Sequence, residues 1–268
     1  MCRVAAYLGP AAPLSTLVFD PPHSLEEQAY RPREMVTGTV NVDGTGVAWW
    51  PEGATEPVRY VSATPPWADE NLRSMGTGLV SGAQLATVRS ATPGLPTGSG
   101  AALPFVHGRH AGTHNGYVAG FKERAARPLI ERLPEHLFTR LDVVSDSLVL
   151  FLLVIDRLER SAGCDLGAAL ASATCGIREQ CETLGVEASL NLVLTDGRTV
   201  AATRSALGMP PNSLYVLDRG RRWPGAALLA SEPLDDDDGW ASVPEEALVV
   251  WDGGGWRLEQ LDRARTGA

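Results

Sequence analysis

The sequence has few cysteines, no long apolar run and no excess of positive charge. Its four cysteines in 268 residues are too few for a disulfide scaffold, and no secretory signal precedes them, so we expect a cytoplasmic protein in a reducing compartment. The longest strongly apolar run, residues 148–155, is well short of the roughly 20 residues that a membrane-crossing helix needs. A net charge of −9, from 23 Lys and Arg against 32 Asp and Glu, argues against a nucleic-acid partner, which requires clustered cations.

Glycine and proline are abundant, with 28 and 19 residues respectively, which argues against an all-helical bundle. At 44% hydrophobic and 21% charged residues, the chain has enough apolar surface for a sizeable core and is neither disordered nor fibrous. No internal repeat is present. We expect residues 1–268 to form a single domain.

The first half of the chain carries mostly strand signals. Residues 4–7 and 16–19 are short, apolar or β-branched and bounded by Gly and Pro, which is typical of strands or loop edges. Residues 39–50 contain two apolar stretches around Asp43-Gly44, a pattern that predicts paired strands or a strand entering a tight turn. Residues 85–90 predict a further strand, and residues 93–102 a loop.

Helices and then strands follow in the second half. Four-residue apolar spacing after Phe121, interrupted by prolines, predicts two short helices. Ser145-Asp146-Ser147 can cap a helix that continues to residue 158, and Asp165 can begin another that ends at Gly185. Six short strands are then predicted at residues 190–194, 199–203, 214–217, 226–230, 248–251 and 256–261. Strands on both sides of a helical block predict an α+β fold, a four-layer α/β/β/α sandwich whose last strands pair near the first.

Cysteine at position 2 is the first candidate for chemistry. Removal of Met1 would give Cys2 a free α-amine, so that one residue would supply both a nucleophile and a base. An α-amine has a pKa of about 7.7–8.0 and a thiol about 8.5, so the neutral amine can accept the thiol proton directly or through one water. This chemistry predicts acyl transfer through a thioester; a Cys2 without any catalytic role is the alternative.

Two later segments could bind and polarise a substrate beside such a thiol. Arg89 follows a predicted strand, where its guanidinium could hold a carboxylate bidentately or form an ordinary surface salt bridge. In His114-Asn115-Gly116, the Asn side-chain amide and the Gly116 backbone N–H could both donate to a developing oxyanion, or the Asn-Gly pair could simply form a hairpin turn.

Asp146, at a predicted helix start, could bind an ammonium group or serve only as a cap. Together these segments could supply an anion clamp, a cation clamp and two oxyanion donors around one thiol.

Four motifs occur in one order along the chain, and they carry a resemblance to a known family. They are Met1-Cys2-Arg3-Val4-Ala5-Ala6-Tyr7-Leu8-Gly9, Asn41-Val42-Asp43-Gly44-Thr45-Gly46, Arg89-Ser90-Ala91-Thr92 and His114-Asn115-Gly116. With them the sequence resembles the class II (Ntn-type) glutamine amidotransferases over essentially its whole length. Residues 14–33 and 104–116 also resemble the stand-alone branch of that family, which hydrolyses a γ-glutamyl amide during ergothioneine biosynthesis.

The resemblance implies a role for each of the reacting groups. Cys2 would attack the γ-carbonyl of the substrate with its own α-amine as base. The side chain of Asn115 and the backbone N–H of Gly116 would form the oxyanion hole. The implied reaction is hydrolysis of the γ-glutamyl amide of a small molecule, a cysteine-sulfoxide conjugate of trimethylhistidine, with release of glutamate and with no cofactor or metal.

The resemblance also implies how the glutamyl group is held. Arg89, with Thr92 beside it, would bind the α-carboxylate, and Asp146 would bind the α-ammonium. The sequence departs from many family members at Leu148, because they carry an acidic residue directly after the Asp-Ser pair. Asn41 and Asp43 would support the site rather than react, or serve only to shape a turn.

Two other functions stay open at this stage. The enzyme could act on free glutamine or on γ-glutamyl amides in general, and a non-enzymatic binding module could leave Cys2 idle. A single domain with no second catalytic domain favours hydrolysis over transfer of ammonia. A quaternary ammonium group in the substrate would favour aromatic faces, and the available aromatic side chains, most of which we expect in the core, are Tyr30, Trp49, Trp50, Trp67 and Phe105.

Three further clusters have simpler explanations than a functional site. His107, His110 and His114 could approach a metal if they lay on a helix, but the glycines among them predict strand and loop. Cys164, Cys175 and Cys181 are most simply core residues of a helix. The four carboxylates of residues 235–238 are typical of an exposed loop, with a metal site as the weaker alternative.

Overall fold

The computed structural model describes residues 2–35, 38–91, 98–160 and 165–261. Met1, Thr92 and Cys164 lie outside the described residues, as does the first half of the loop predicted at residues 93–102. None of the described helices is long and apolar enough to cross a membrane.

Two antiparallel sheets make up the centre of the described fold. Sheet A has the strand order β12-β10-β11-β1-β4-β2-β3, and sheet B has the order β14-β13-β8-β7-β6-β5, with β9 paired to β7. Their bounds are β1 Arg3–Pro13, β2 Thr45–Trp49, β3 Val58–Ser62, β4 Val80–Val88, β5 Phe105–His107, β6 His110–Val118, β7 Ala188–Thr195, β8 Val200–Arg204, β9 Ala206–Leu207, β10 Tyr215–Asp218, β11 Ala227–Ala230, β12 Ala241–Ser242, β13 Ala247–Trp251 and β14 Trp256–Gln260.

Helices cover the outer face of each sheet. The α-helices are α1 Ser15–Val18, α2 Leu25–Tyr30, α3 Glu70–Gly76, α4 Ala126–Ile130, α5 Glu135–Phe138, α6 Asp146–Arg160 and α7 Leu166–Leu184. Single 3₁₀ turns occur at Pro66–Ala68 and Ser99–Ala101, and a π turn at Phe121–Ala125 precedes α4.

Three separate apolar cores lie between four layers, which confirms the α/β/β/α prediction. Side chains from α1, α2 and α3 pack on the outer face of sheet A, and the inner faces of the two sheets pack on each other. The third core joins sheet B to α6 and α7. Successive side chains of β1 therefore point to opposite faces of sheet A: Val4, Ala6 and Leu8 face sheet B, whereas Ala5 and Tyr7 face the helices.

The two long helices have the ends that the sequence predicts. Ser145 Oγ accepts the Leu148 N–H at the start of α6, and the Asp165 carboxylate accepts the Ala168 N–H at 2.7 Å at the start of α7. Gly185 ends α7 in the left-handed region at φ 61°, which glycine adopts without steric cost. The two short helices after Phe121 and all six late strands are also present, and β11 pairs with β1 as predicted. The final strands, β13 and β14, lie instead in sheet B.

Two early strand predictions were wrong. Residues 16–19 belong to helix α1 and its end rather than to a strand, since the Asp20 carboxylate and backbone N–H both bind back to Ser15 and close a helical turn. Residues 39–44 form a loop, and Asp43-Gly44 is not a hairpin turn, because β2 pairs with β3 and β4. The strand predicted at residues 85–90 is the second part of β4.

Candidate active site

Cys2 lies at the start of the central strand of sheet A. β1 begins at Arg3 and pairs with β4 on one side and with β11 on the other, so the backbone that follows Cys2 is held on both flanks. Its side chain is 6% exposed, and its Sγ lies 3.8 Å from the Ser90 carbonyl oxygen, to which the thiol donates. By alternation with Arg3, Cys2 faces sheet B, as Val4 does.

Arg89 directly follows β4, beside Cys2. The antiparallel register pairs Arg3 with Val88, which brings Cys2 and Arg89 to the same level, and the Arg89 side chain is 7% exposed. Asp43 fixes the chain here, because its N–H donates to the Arg89 carbonyl at 3.0 Å and its carboxylate accepts the Ala91 N–H at 2.7 Å. Asp43 therefore fixes the backbone on both sides of Ser90, while Thr92 falls outside the described residues.

Asn115 lies within β6, on the inner face of sheet B, and is not part of a hairpin turn. It is fully buried, and its Nδ2 donates to Ser231 Oγ at 3.0 Å. The Asn212 Nδ2 donates to the Asn115 backbone oxygen at 2.8 Å and to its Oδ1 at 3.2 Å. A side-chain amide carries two N–H donors; Ser231 accepts one, and no other described residue accepts the second.

Gly116 follows Asn115 at a place where only glycine fits. A Cβ at this position would lie 1.9 Å from the Ser189 carbonyl oxygen on β7 and 2.6 Å from His114 Nε2. In the tripeptide, an Asn side chain that donates hydrogen bonds is therefore followed by a position where no side chain fits.

Asp146, the first residue of α6, lies against the end of β6 and is close enough to His114 to act on its charge. The Asp146 carboxylate accepts the Ser147 N–H at 2.7 Å and the Val118 N–H at 3.2 Å, which ties α6 to β6. His114 Nε2 lies 2.8 Å from the Ser189 oxygen and its Nδ1 lies 3.1 Å from Ser147 Oγ. Burial lowers the pKa of His114, although Asp146 opposes the shift. A neutral His114 therefore donates from Nε2 and accepts from Ser147.

The histidines do not form a metal site. His107 contacts Glu159 at 3.2 Å, while His114 is committed to Ser147 and Ser189. No group of three metal-ligating side chains occurs in the part of the chain that the structure describes.

The remaining clusters are structural. Cys175 and Cys181 are buried in α7, as predicted, and the carboxylates of Asp235 and Asp237 accept protein N–H groups in their own loop. Of the five aromatic side chains considered, Trp49, Trp50 and Phe105 are buried, whereas Tyr30 and Trp67 are exposed and form an edge-to-face pair with ring centroids 5.5 Å apart.

Sequence reasoning missed the residues that connect the two sheets behind Cys2. Ser231 accepts the Val4 N–H at 2.9 Å as well as the Asn115 amide, and Asn191 donates to the Asn212 oxygen at 2.9 Å. These polar residues come from β7, β11 and the loop before β10, without any common spacing that could have revealed them.

A buried charge cluster lies on the other face of sheet A. Arg3 and Glu232 are both fully buried, with Arg3 Nη1 3.6 Å from Glu232 Oε1. His23 Nε2 lies 2.7 Å from Glu232 Oε2, and the backbone N–H groups of Arg33 and Glu34 donate to the same carboxylate at 2.8 and 3.0 Å. Glu232 therefore joins β1, the segment before α2 and the segment after it.

Comparison with known proteins assigns the chain to a family. No model of a known protein family matches it. A γ-glutamyl-hercynylcysteine sulfoxide hydrolase of Mycobacterium tuberculosis is 34% identical over 266 residues, which cover 99% of both chains. A protein of the same name from Mycolicibacterium smegmatis is 35% identical over 251 residues, 93% of this chain and 95% of the relative.

Solved structures show the same fold at lower sequence identity. A glutamine aminotransferase class-II domain protein from Silicibacter pomeroyi superposes with a TM-score of 0.70 over 97% of this chain and 100% of that one, at 23% identity. A predicted glutamine amidotransferase from Pseudomonas aeruginosa gives a TM-score of 0.57 at 19% identity. The chain therefore has the class II glutamine amidotransferase fold and belongs to the family of the γ-glutamyl-hercynylcysteine sulfoxide hydrolases.

Proposed function

We propose that this protein hydrolyses the γ-glutamyl amide bond of γ-glutamyl-hercynylcysteine sulfoxide, the substrate for which its mycobacterial relatives are named, and releases glutamate. The observation that carries the proposal is the placement of Cys2 and Asn115. Cys2 begins the strand whose Val4 N–H binds Ser231, and the same hydroxyl binds the Asn115 amide. The strand that follows Cys2 and the Asn115 amide are thus joined through one hydroxyl, and this link supports the proposal that the thiol and the amide act on one substrate.

The proposed reaction begins at Cys2 once Met1 has been removed. The α-amine takes the thiol proton, and Sγ attacks the γ-carbonyl carbon. The developing oxyanion receives hydrogen bonds from the second Asn115 Nδ2 hydrogen and from the Gly116 N–H. Collapse of this intermediate breaks the C–N bond, the leaving amine takes the proton from the α-ammonium, and a thioester remains on Cys2. Attack by water on that thioester then releases glutamate and restores the thiol.

The glutamyl group needs one clamp for each of its charges. The Arg89 guanidinium, with Thr92 beside it, binds the α-carboxylate. Asp146 binds the α-ammonium, because its two oxygens keep a lone pair beyond those that face the N–H groups of Ser147 and Val118 and the Ser147 hydroxyl. We assign this reaction to a single domain, residues 1–268, that works in the cytoplasm, where a thiol nucleophile stays reduced.

Glutamate release from the conjugate and from free glutamine tests the proposal. We expect the conjugate to be hydrolysed with a clearly higher kcat/KM than glutamine, and Cys2→Ala to be inactive on both. Cys181→Ala is the matched control, because it removes a buried thiol from α7 far along the chain and replaces it with a good helix former.

Each failure of this experiment has a distinct meaning. Equal rates on the two substrates would overturn the substrate assignment and leave a general γ-glutamyl hydrolase. Activity that survives in Cys2→Ala, or active protein whose intact mass always includes Met1, would overturn the mechanism. No glutamate release from any γ-glutamyl amide would favour a binding module with an idle Cys2.

A further inference from the structure

Ser231 occupies the junction between the two sheets. It directly follows β11 and is fully buried. Its N–H donates to the Val4 carbonyl at 2.9 Å, which extends the pairing of β11 with β1 by one residue. Its Oγ accepts the Val4 N–H at 2.9 Å and the Asn115 Nδ2 at 3.0 Å.

One oxygen atom therefore fixes two groups that belong to different sheets. Val4 lies two residues after Cys2 in sheet A, and Asn115 lies on β6 of sheet B. A hydroxyl oxygen has two lone pairs, and these two donors fill them. The separation between the nucleophile strand and the Asn115 amide is thus set through a single atom.

Asn212 selects the rotation of the Asn115 amide. Its Nδ2 donates to the Asn115 backbone oxygen at 2.8 Å, which can only accept, and the same Nδ2 donates to Asn115 Oδ1 at 3.2 Å. A flipped amide would place the Asn115 Nδ2 against this donor, which costs a hydrogen bond in a buried site. With Oδ1 held by Asn212, the Asn115 Nδ2 lies against Ser231 Oγ, which fixes its position.

We propose that Ser231 is a positioning residue for the hydrolysis, which holds the Asn115 amide at the angle and distance from Cys2 that the oxyanion requires. This inference rests on the proposed function, since Asn115 has to donate to the oxyanion for its orientation to matter. Ser231 acts through Asn115 and does not itself touch the reacting atoms.

Ser231→Ala is the variant that tests the role, with Ser81→Ala as its matched control. Ser81 is another buried serine of sheet A, and its Oγ hydrogen-bonds to the backbone of Trp50 and Ala83. Loss of one oxyanion donor costs about 10²–10³ in rate, so we expect Ser231→Ala to lower kcat by up to about 10²-fold. KM should stay nearly constant, because the oxyanion forms only in the transition state.

A double-mutant cycle separates positioning from a general structural effect. If Ser231 acts through Asn115, the double variant Asn115→Ala/Ser231→Ala should be no slower than Asn115→Ala alone. Urea unfolding and circular dichroism establish that each variant is folded. Should Ser231→Ala fail to fold, Ser231→Cys keeps a side chain of similar shape with a much weaker acceptor and should show the same kcat defect.

A spectroscopic readout is independent of turnover. In wild-type protein, Asn115 should give a side-chain ¹⁵N–¹H₂ signal that exchanges slowly with solvent and is absent in Asn115→Ala. The signal should persist in Ser81→Ala but exchange faster in Ser231→Ala. A folded Ser231→Ala protein with kcat within about threefold of wild type, or fully additive losses in the cycle, would refute the proposal.

A failure of the proposed function would give a different result from a failure of the positioning role. A wild-type enzyme that releases no glutamate would overturn the proposed function and with it the catalytic purpose of Ser231. In that case the amide signal still reports whether Ser231 holds Asn115.

Discussion

Replacement of Glu232 by Gln should cost this protein a large part of its folding stability. The substitution keeps the size of the side chain but removes the charge that faces the buried Arg3 guanidinium at 3.6 Å. At an effective dielectric constant of about 20, two unit charges at this distance attract each other by roughly 4–5 kcal/mol. An uncompensated buried charge typically costs a similar amount, about 3–5 kcal/mol.

The Glu232→Gln substitution also disturbs the hydrogen bonds that the carboxylate accepts. Its carboxylate accepts from His23 and from the N–H groups of Arg33 and Glu34, and a Gln side chain has only one oxygen with which to accept. We therefore expect the free energy of unfolding to fall by about 3–5 kcal/mol in Glu232→Gln, out of the roughly 5–15 kcal/mol typical of a folded domain.

Urea unfolding followed by tryptophan fluorescence measures this loss as a lower midpoint at constant slope. The double variant Arg3→Met/Glu232→Gln is the control, because removal of both charges should recover part of the stability. A Glu232→Gln protein within about 1 kcal/mol of wild type would refute the idea that the Arg3–Glu232 pair is energetically coupled.

The same carboxylate makes stability depend on pH in a defined direction. Burial by itself raises the pKa of Glu232, but the hydrogen bond from His23, the Arg33 N–H and the charge of Arg3 outweigh it, so the pKa lies below its usual 4.5. A lowered folded-state pKa contributes stability that is present above the unfolded pKa and is lost as the pH falls through the folded pKa. Wild type should lose stability below about pH 4.5, and Glu232→Gln should lose less over the same range.

Three further predictions concern single positions. Gly116→Ala places a methyl carbon 1.9 Å from the Ser189 oxygen, so urea unfolding should show a loss of about 1–3 kcal/mol and glutamate release should slow; an unchanged variant would contradict this. Gly197 has φ +83°, and a Cβ there would lie 2.8 Å from the Trp50 ring, so Gly197→Ala should lower the Tm by several degrees. An equal or higher Tm would contradict this, because it would mean that the turn accommodates the methyl group without strain. Burial raises the pKa of Cys181 to about 11, so iodoacetamide at about pH 8 should leave it unmodified in folded protein but not in urea, as mass spectrometry can establish.

The sequence predicted the fold best where local signals and tertiary packing agree. Asp165 and Gly185 mark the two ends of α7 because a carboxylate cap and a left-handed glycine act within a single turn. The run at residues 16–19 was misassigned because a short apolar segment has no measurable period, and its helical turn depends on contacts between Ser15 and Asp20.

Only the reacting part of the site was visible in the sequence. Cys2, Arg89 and Asn115 stand in short motifs, whereas Ser231 and Asn212 act through hydrogen bonds to residues about a hundred or more positions away. Such long-range contacts arise because β11 pairs with β1 and because the inner faces of the two sheets pack on each other. No local sequence pattern encodes either arrangement.

The central place of β1 in sheet A determines how late in synthesis the proposed site can form. β1 is made first, but one of its two partner strands, β11, is made near the end of the chain. Ser231, whose hydroxyl links Val4 of β1 to Asn115 of β6, directly follows β11. A nascent chain that ends before residue 231 therefore lacks this link, and we expect it to be inactive.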